Sequence, residues 1–252
     1  MTLISRKTHM KSYVLDSIPI VIPEKSLLSR IGRDSQTNVS KRILKDMKQA
    51  VNLIARKAKP RAVYRIIPVE TNNGSVTFDE HFLLKSRKLK RIFRPCQKAV
   101  IFLTTIGPQV DALIQRAMKK KPSYGYILDS VASVAAESTA DYLEKKLKRK
   151  FAPEHAVTLR YSPGYCDWPL SEQKNIFKII PGNLIGVKLS ERFFMMPYKS
   201  ISGAMGVCPA DSSEASRNAC LECQNFNCPY RRSRERDVPL EDNRETHLIS
   251  GG

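Results

Sequence analysis

No stretch of this 252-residue chain approaches the ~20 consecutive apolar residues that a membrane-spanning helix requires. Acidic residues are scarce: 24 Asp and Glu stand against 43 Lys and Arg, leaving a formal net charge of +19. Tryptophan occurs once, as Trp168, and no internal repeat is visible. The opening residues carry early positive charge, but the apolar run that follows is short, broken by prolines and without a small-residue cleavage site. The expectation is therefore a chain without a secretory signal, in the cytoplasm, with reduced cysteines. Its length allows a sizeable core, and 42% hydrophobic residues is ordinary for a globular protein, so one domain with appendages is expected.

The basic residues come in blocks: KRILKDMKQ, KSRKLKR, KKK at 119–121 and KKLKRK at 145–150. Most fall at the ends of expected helices, where lysines in a last turn complement the helix dipole, or on solvated faces. No nucleic-acid reader motif accompanies the charge. Steering of an acidic protein partner is a second use for it.

Residues 1–36 are expected to form an irregular, partly extended arm. Residues 39–59 show apolar positions Ile43, Met47, Val51 and Ile54 at helical spacing. Strands are expected over 62–69, followed by a turn at Asn72-Asn73-Gly74, and over the apolar run 99–105, which closes at Gly107-Pro108. Helices follow over 109–120 and 127–149, the second the longest, ended near Pro153. A strand over 157–161, a helix over 171–180 and short strands and turns over 186–206 complete the core. The polar tail 231–252 is expected to be disordered. Long helices with short, antiparallel strands suggest an α+β fold.

The segment RYSPGYCDWPL, residues 160–170, concentrates an arginine, two tyrosines, a Pro-Gly turn and the tryptophan. Pro163 presets φ for the first central turn position and Gly164 tolerates φ > 0 at the second. Such a turn lets backbone groups approach a ligand, with Arg160 as a bidentate partner for carboxylate or phosphate and aromatic rings for stacking. The same segment also suits a hairpin corner with buried aromatics. Within the longest expected helix, Glu137 is the only charge in VASVAAESTA, residues 131–140. A glutamate pairing locally at the helix surface and a glutamate facing a ligand are both compatible with that setting.

Two motifs in order carry a resemblance. Arg160, Gly164 and Tyr165 form R-x-x-x-G-Y; then come Gly186, Leu189, Ser190, Glu191, Met195, Pro197, Ser200, Ser202 and Gly203, with Arg192 where a serine is usual. Over residues 95–207 the chain resembles the AdoMet-binding activation domain of cobalamin-dependent methionine synthase. The resemblance implies an α+β domain with a curved, mainly antiparallel sheet flanked by helices, spanning 37–207. It implies an S-adenosylmethionine site made from Glu137, Arg160, Tyr161, Ser162, Pro163, Gly164 and Tyr165, with Asp167 and Trp168 as further wall residues. Arg160 would hold the ligand carboxylate, Glu137 its ammonium or ribose hydroxyl, and backbone groups over 162–165 its adenine. It also implies reductive methylation of cob(II)alamin carried by a separate corrinoid-binding methionine synthase; the acidic partner that the basic charge would steer is a flavodoxin, a ferredoxin or an acidic corrinoid protein. This chain lacks the D-x-H-x-x-G signature that ligates cobalt from below.

Cys208, Cys220, Cys223 and Cys228 form C-x11-C-x2-C-x4-C over a cysteine-rich segment, 208–230. In a cytosolic chain this reads as a metal site, zinc or a [4Fe-4S] cluster, and the spacing leaves both open. Cys96 and Cys166 are expected to be ordinary thiols. Two other functional readings stand beside the first: an iron–sulfur or zinc redox activator of other corrinoid methyltransferases, and a basic nucleic-acid-binding protein.

Overall fold

The structure, a computed structural model, describes residues 11–32, 39–79 and 82–212. In chain order the elements are β1 (Tyr13–Leu15), α1 (Glu24–Arg30), α2 (Lys41–Lys57), β2 (Arg61–Asn72), β3 (Ser75–Phe78), β4 (Phe82–Lys85), α3 (Arg87–Phe93) and β5 (Lys98–Thr105). They continue with α4 (Pro108–Lys120), α5 (Pro122–Phe151), β6 (His155–Val157), α6 (Gln173–Ile179), β7 (Lys188–Leu189), β8 (Met195–Met196) and β9 (Ser200–Pro209). The fold is α+β around an open antiparallel sheet ordered β4-β3-β2-β5-β9-β6, with β1 paired to β2.

The central strand β5 is apolar on both faces, so both must be covered. On one face Val100 and Phe102, with Tyr64 of β2 and Met205 and Val207 of β9, pack beneath Leu143 and Leu147 of α5. The opposite residues Ala99, Ile101 and Leu103 are fully buried as well. Elements α3 and α6 contact the sheet through β2, β5 and β9. Outside α5 lies a second apolar cluster: Leu27 and Leu28 of α1, Met47, Ala50 and Ile54 of α2, and Val110 and Ile114 of α4 all pack on its first half. This explains why α5 has so many buried small residues; it is covered on several sides.

The longest helix starts at Pro122, five residues before its expected beginning. Proline is tolerated in a first turn because that N–H has no helical partner. Gly125 permits the tight corner, since a Cβ there would lie 2.7 Å from the Met118 backbone nitrogen. Helix α2 is capped by the Ser40 hydroxyl, which accepts from the Ile43 N–H at 3.4 Å. Within the arm, expected to be irregular, β1 joins the sheet and α1 docks through Leu27 and Leu28. The stretch expected to be short strands and turns holds the ten-residue β9, eight residues of which pair with β5 from Lys98↔Val207 to Thr105↔Ser200. Its small residues obscured it: Gly203 and Gly206 break the strand pattern, yet each sits where a side chain has no room.

At Gly203 an added Cβ would overlap the Tyr161 carbonyl and approach the Phe102 ring at 3.0 Å. Gly203→Ala is expected to destabilise the protein by about 1–3 kcal/mol, the usual range for overpacking, read as a lower denaturation midpoint at unchanged slope.

Candidate functional site

Tyr161 pairs with Ala204 as an isolated bridge beside β9, which sets Arg160 against α5. Its guanidinium meets three carboxylates of that helix. Nη2 donates to Glu137 Oε2 at 2.7 Å, and Nη1 donates to Asp141 Oδ1 at 2.6 Å and Glu144 Oε2 at 2.9 Å. Spacings of four and three residues put these acids on one helix face. Lys148 continues the row, its Nζ 3.0 Å from Glu144 Oε1. The Arg160 side chain is only 7% exposed, whereas those of Glu137 and Asp141 are 41% and 54% exposed. Burial alone would lower the Arg160 pKa, but Asp141, Glu137 and Glu144 outweigh it and hold the pKa above the ordinary arginine range.

Arg160 and Glu137, 23 residues apart, are thus in direct contact. The expected free guanidinium is instead already engaged, and Asp141 and Glu144 complete its shell. Asp141 and Glu144 follow Glu137 at i+4 and i+7, and that spacing is the one sequence signal for them.

The Pro163-Gly164 turn forms as the residues imply: Gly164 has φ +94° and the Tyr165 N–H donates to the Ser162 carbonyl at 3.2 Å. The Gly164 N–H donates to the Trp168 carbonyl at 2.8 Å, so two amides expected to face a ligand are used within the loop. Gly164 and Tyr165 are exposed, Ser162 is partly buried, and Pro163 and Tyr161 are buried. Trp168 is 1% exposed and serves as a core residue, not as a stacking surface. Asp167 turns away to α3, accepting from the Ser86 hydroxyl at 2.8 Å and the Lys88 N–H at 3.2 Å. That pair of bonds fastens the turn to a neighbouring element.

Two further contacts place the residues before β9. Lys199 Nζ lies 2.7 Å from Asp129 Oδ1 and donates to the Ser133 hydroxyl at 2.8 Å, both on α5. The Tyr198 N–H donates to Asp111 Oδ2 of α4 at 2.7 Å. Beside them Phe194, Met196 and Tyr198 are exposed.

The cysteine expectations change. Cys208 is fully buried in β9 and its sulfur is bonded to that of Cys96, so neither is an ordinary thiol and Cys208 offers no thiolate to a metal. Cys166 is a free, exposed thiol. Cys220, Cys223 and Cys228 lie outside the described residues, as does the tail 231–252. Among the described residues no cluster of His, Cys, Asp and Glu is arranged to hold a metal ion, and no helix is long and apolar enough to cross a membrane.

An arginine loop and a Pro-Gly turn are set beside one long helix over an open antiparallel sheet, in a compact α+β module. Residues 96–213 match the family model described as vitamin B12 dependent methionine synthase, activation domain. A crystal structure of the MetH reactivation domain bound to AdoHcy has the same fold, with a TM-score of 0.59 over 81% of this chain and 80% of that one, at 16% identity. No curated protein matches the sequence.

Replacing Arg160 by Gln leaves Glu144 buried among acids. The expected cost is about 3 kcal/mol, the lower end for removing one partner of a buried pair, because Lys148 still reaches Glu144. Asp141→Asn, at a half-exposed pair, is expected to cost less than about 1 kcal/mol. Urea unfolding separates the two.

Burial pushes the Asp111 carboxyl above its ordinary pKa, against the opposing pull of the Tyr198 N–H and Lys199. The folded state then binds a proton more tightly than the unfolded chain, so this contribution to stability is full at low pH. It is lost as pH rises through the raised folded-state value. Asp111→Asn is expected to flatten that part of the stability–pH curve; an unchanged curve would refute the assignment.

Proposed function

We propose that this chain is a stand-alone activation module that binds S-adenosylmethionine and supports reductive methylation of cob(II)alamin on a separate corrinoid-binding methionine synthase. The observation that carries the reading is the Arg160 cluster. Three carboxylates against the two cations Arg160 and Lys148 leave one excess negative charge, partly open to solvent. A ligand with an ammonium and a sulfonium is attracted to such a place, and water-shielded pairs there are stronger than exposed ones. The match of residues 96–213 to the activation-domain family and the AdoHcy named for the MetH structure support the same ligand.

In this reading Glu137 and Asp141 accept from the ligand ammonium, while Arg160 orders both carboxylates and turns to the ligand carboxylate once one of them is drawn off. Tyr165, exposed at the turn, and the carbonyls of Pro163 and Gly164 line the rest. Asp167 acts through Ser86 and Lys88 to hold the turn in place. Bound here, AdoMet supplies an electrophilic methyl group, and one electron from an external donor together with that methyl converts the partner's cob(II)alamin to methylcobalamin, leaving AdoHcy. The residues named supply no acid or base; they contribute position and charge. A flavodoxin or ferredoxin as donor fits the net charge of +19, which favours encounter with acidic proteins.

Titration calorimetry tests the ligand. The intact chain is expected to bind AdoMet, and Glu137→Gln and Arg160→Gln to weaken it about 10- to 100-fold, the range for losing a charge-assisted bond. A folded chain that binds neither AdoMet nor AdoHcy would end the reading. The activity is tested with a methionine synthase fragment lacking its own activation domain, cob(II)alamin, AdoMet and a low-potential reductant. Methylcobalamin absorption should grow only when this chain is added.

A further inference from the structure

The flank of α5 facing β2 and β1 differs from the flank facing Arg160. There a cleft of about 490 Å³ opens between Tyr64 of β2 and the helix, lined by Tyr142, Lys145, Lys146, Arg149 and Lys150. The helical positions 142, 145, 146, 149 and 150 fall on one face by their three- and four-residue spacing. Tyr64 is buried and stacks on Tyr13 with ring centroids 5.0 Å apart and planes at 13°. Lys150 reaches across: its Nζ lies 3.4 Å from the Tyr64 hydroxyl and 4.5 Å over the Tyr13 ring. The aromatic wall is thereby fixed, and a positive charge is fixed on it.

Lys145, Lys146 and Arg149 are exposed, and among the described residues none is paired with a carboxylate. The helix dipole accounts for cations in a last turn but falls off beyond it, so it explains Lys148, Arg149 and Lys150 and leaves Lys145 and Lys146 unaccounted for. A cleft of this volume, lined by two tyrosines, Leu147 and four cationic side chains, has the size of a small-molecule site and suits an anionic ligand with a ring. An acidic protein partner would need roughly 800 Å² on its side and gains nothing from a concavity of this size.

We propose that this cleft is a second ligand site, taking a nucleoside phosphate whose ring lies against Tyr142 and the Tyr64 edge. Its phosphates meet Lys145, Lys146 and Arg149. The site is separate from the Arg160 cluster and does not rest on the function proposed for it.

The test uses the intact chain with ADP, adenosine and inorganic phosphate as probes, followed by calorimetry or amide chemical shifts. ADP is expected to bind saturably and at least about tenfold more tightly than adenosine or phosphate alone, as two kinds of contact acting together require. Lys146→Glu with Arg149→Glu should weaken ADP about 100-fold, near tenfold per reversed charge, with the far-ultraviolet dichroism unchanged. Arg160→Gln should leave ADP binding as it was, and AdoMet should not compete. The proposal is overturned if adenosine binds as well as ADP, or if the double variant retains affinity. It is equally overturned if AdoMet displaces ADP, which would put the nucleotide in the other site. Absence of ADP binding with charge-dependent capture of polyglutamate would overturn it in favour of a protein-docking face.

Discussion

Burying β5 on both faces is the constraint from which the arrangement follows. A strand of eight residues, seven of them buried, cannot sit at an edge or face water. It takes β2 and β9 as neighbours and requires helices above and below. The upper cover is α5, long enough at 30 residues to serve two purposes. Its first half is enclosed by α1, α2 and α4, while its second half lies on the sheet and carries ionic side chains along its flanks.

The local signals that announced elements were the strong ones. Alternate and continuous apolar runs located β2 and β5, and the four-residue periodicity of Ile43, Met47, Val51 and Ile54 located α2. What escaped notice had weak or misleading local chemistry. The arm contains β1, three residues held by pairing with Tyr64, Val63 and Ala62 and by packing of Tyr13 and Leu15, all distant in sequence, which no local pattern reveals. In β9, glycines that normally weaken a strand are demanded by neighbours, Tyr161 and Phe102 at Gly203 and Cys96 at Gly206. Tertiary closeness overrides propensity at such places.

The candidate site was legible as a pair and not as a cluster. Arg160 and Glu137 stood out by residue type and motif; their contact is real, and it involves Asp141 and Glu144 as well. A cation buried to this degree needs more than one acid, so the additional partners have a physical cause that inspection of isolated motifs does not supply. Trp168 and Asp167 were placed in the wall by proximity in sequence. The structure gives them architectural tasks, one in the core and one tying the turn to α3. Cys208 likewise belongs to the interior, joined to Cys96 of the loop between α3 and β5.

One consequence of α5 concerns how the molecule meets others in solution. Along its second half, acids line one flank, while the other carries Lys145, Lys146 and Arg149, none paired with a carboxylate among the described residues, so the charges form an electric moment transverse to the helix axis. An approaching charged body therefore experiences a torque as well as a pull, and the collision partner is rotated before it touches. Orientation, the slow element of most encounters, is in part written into a single helix.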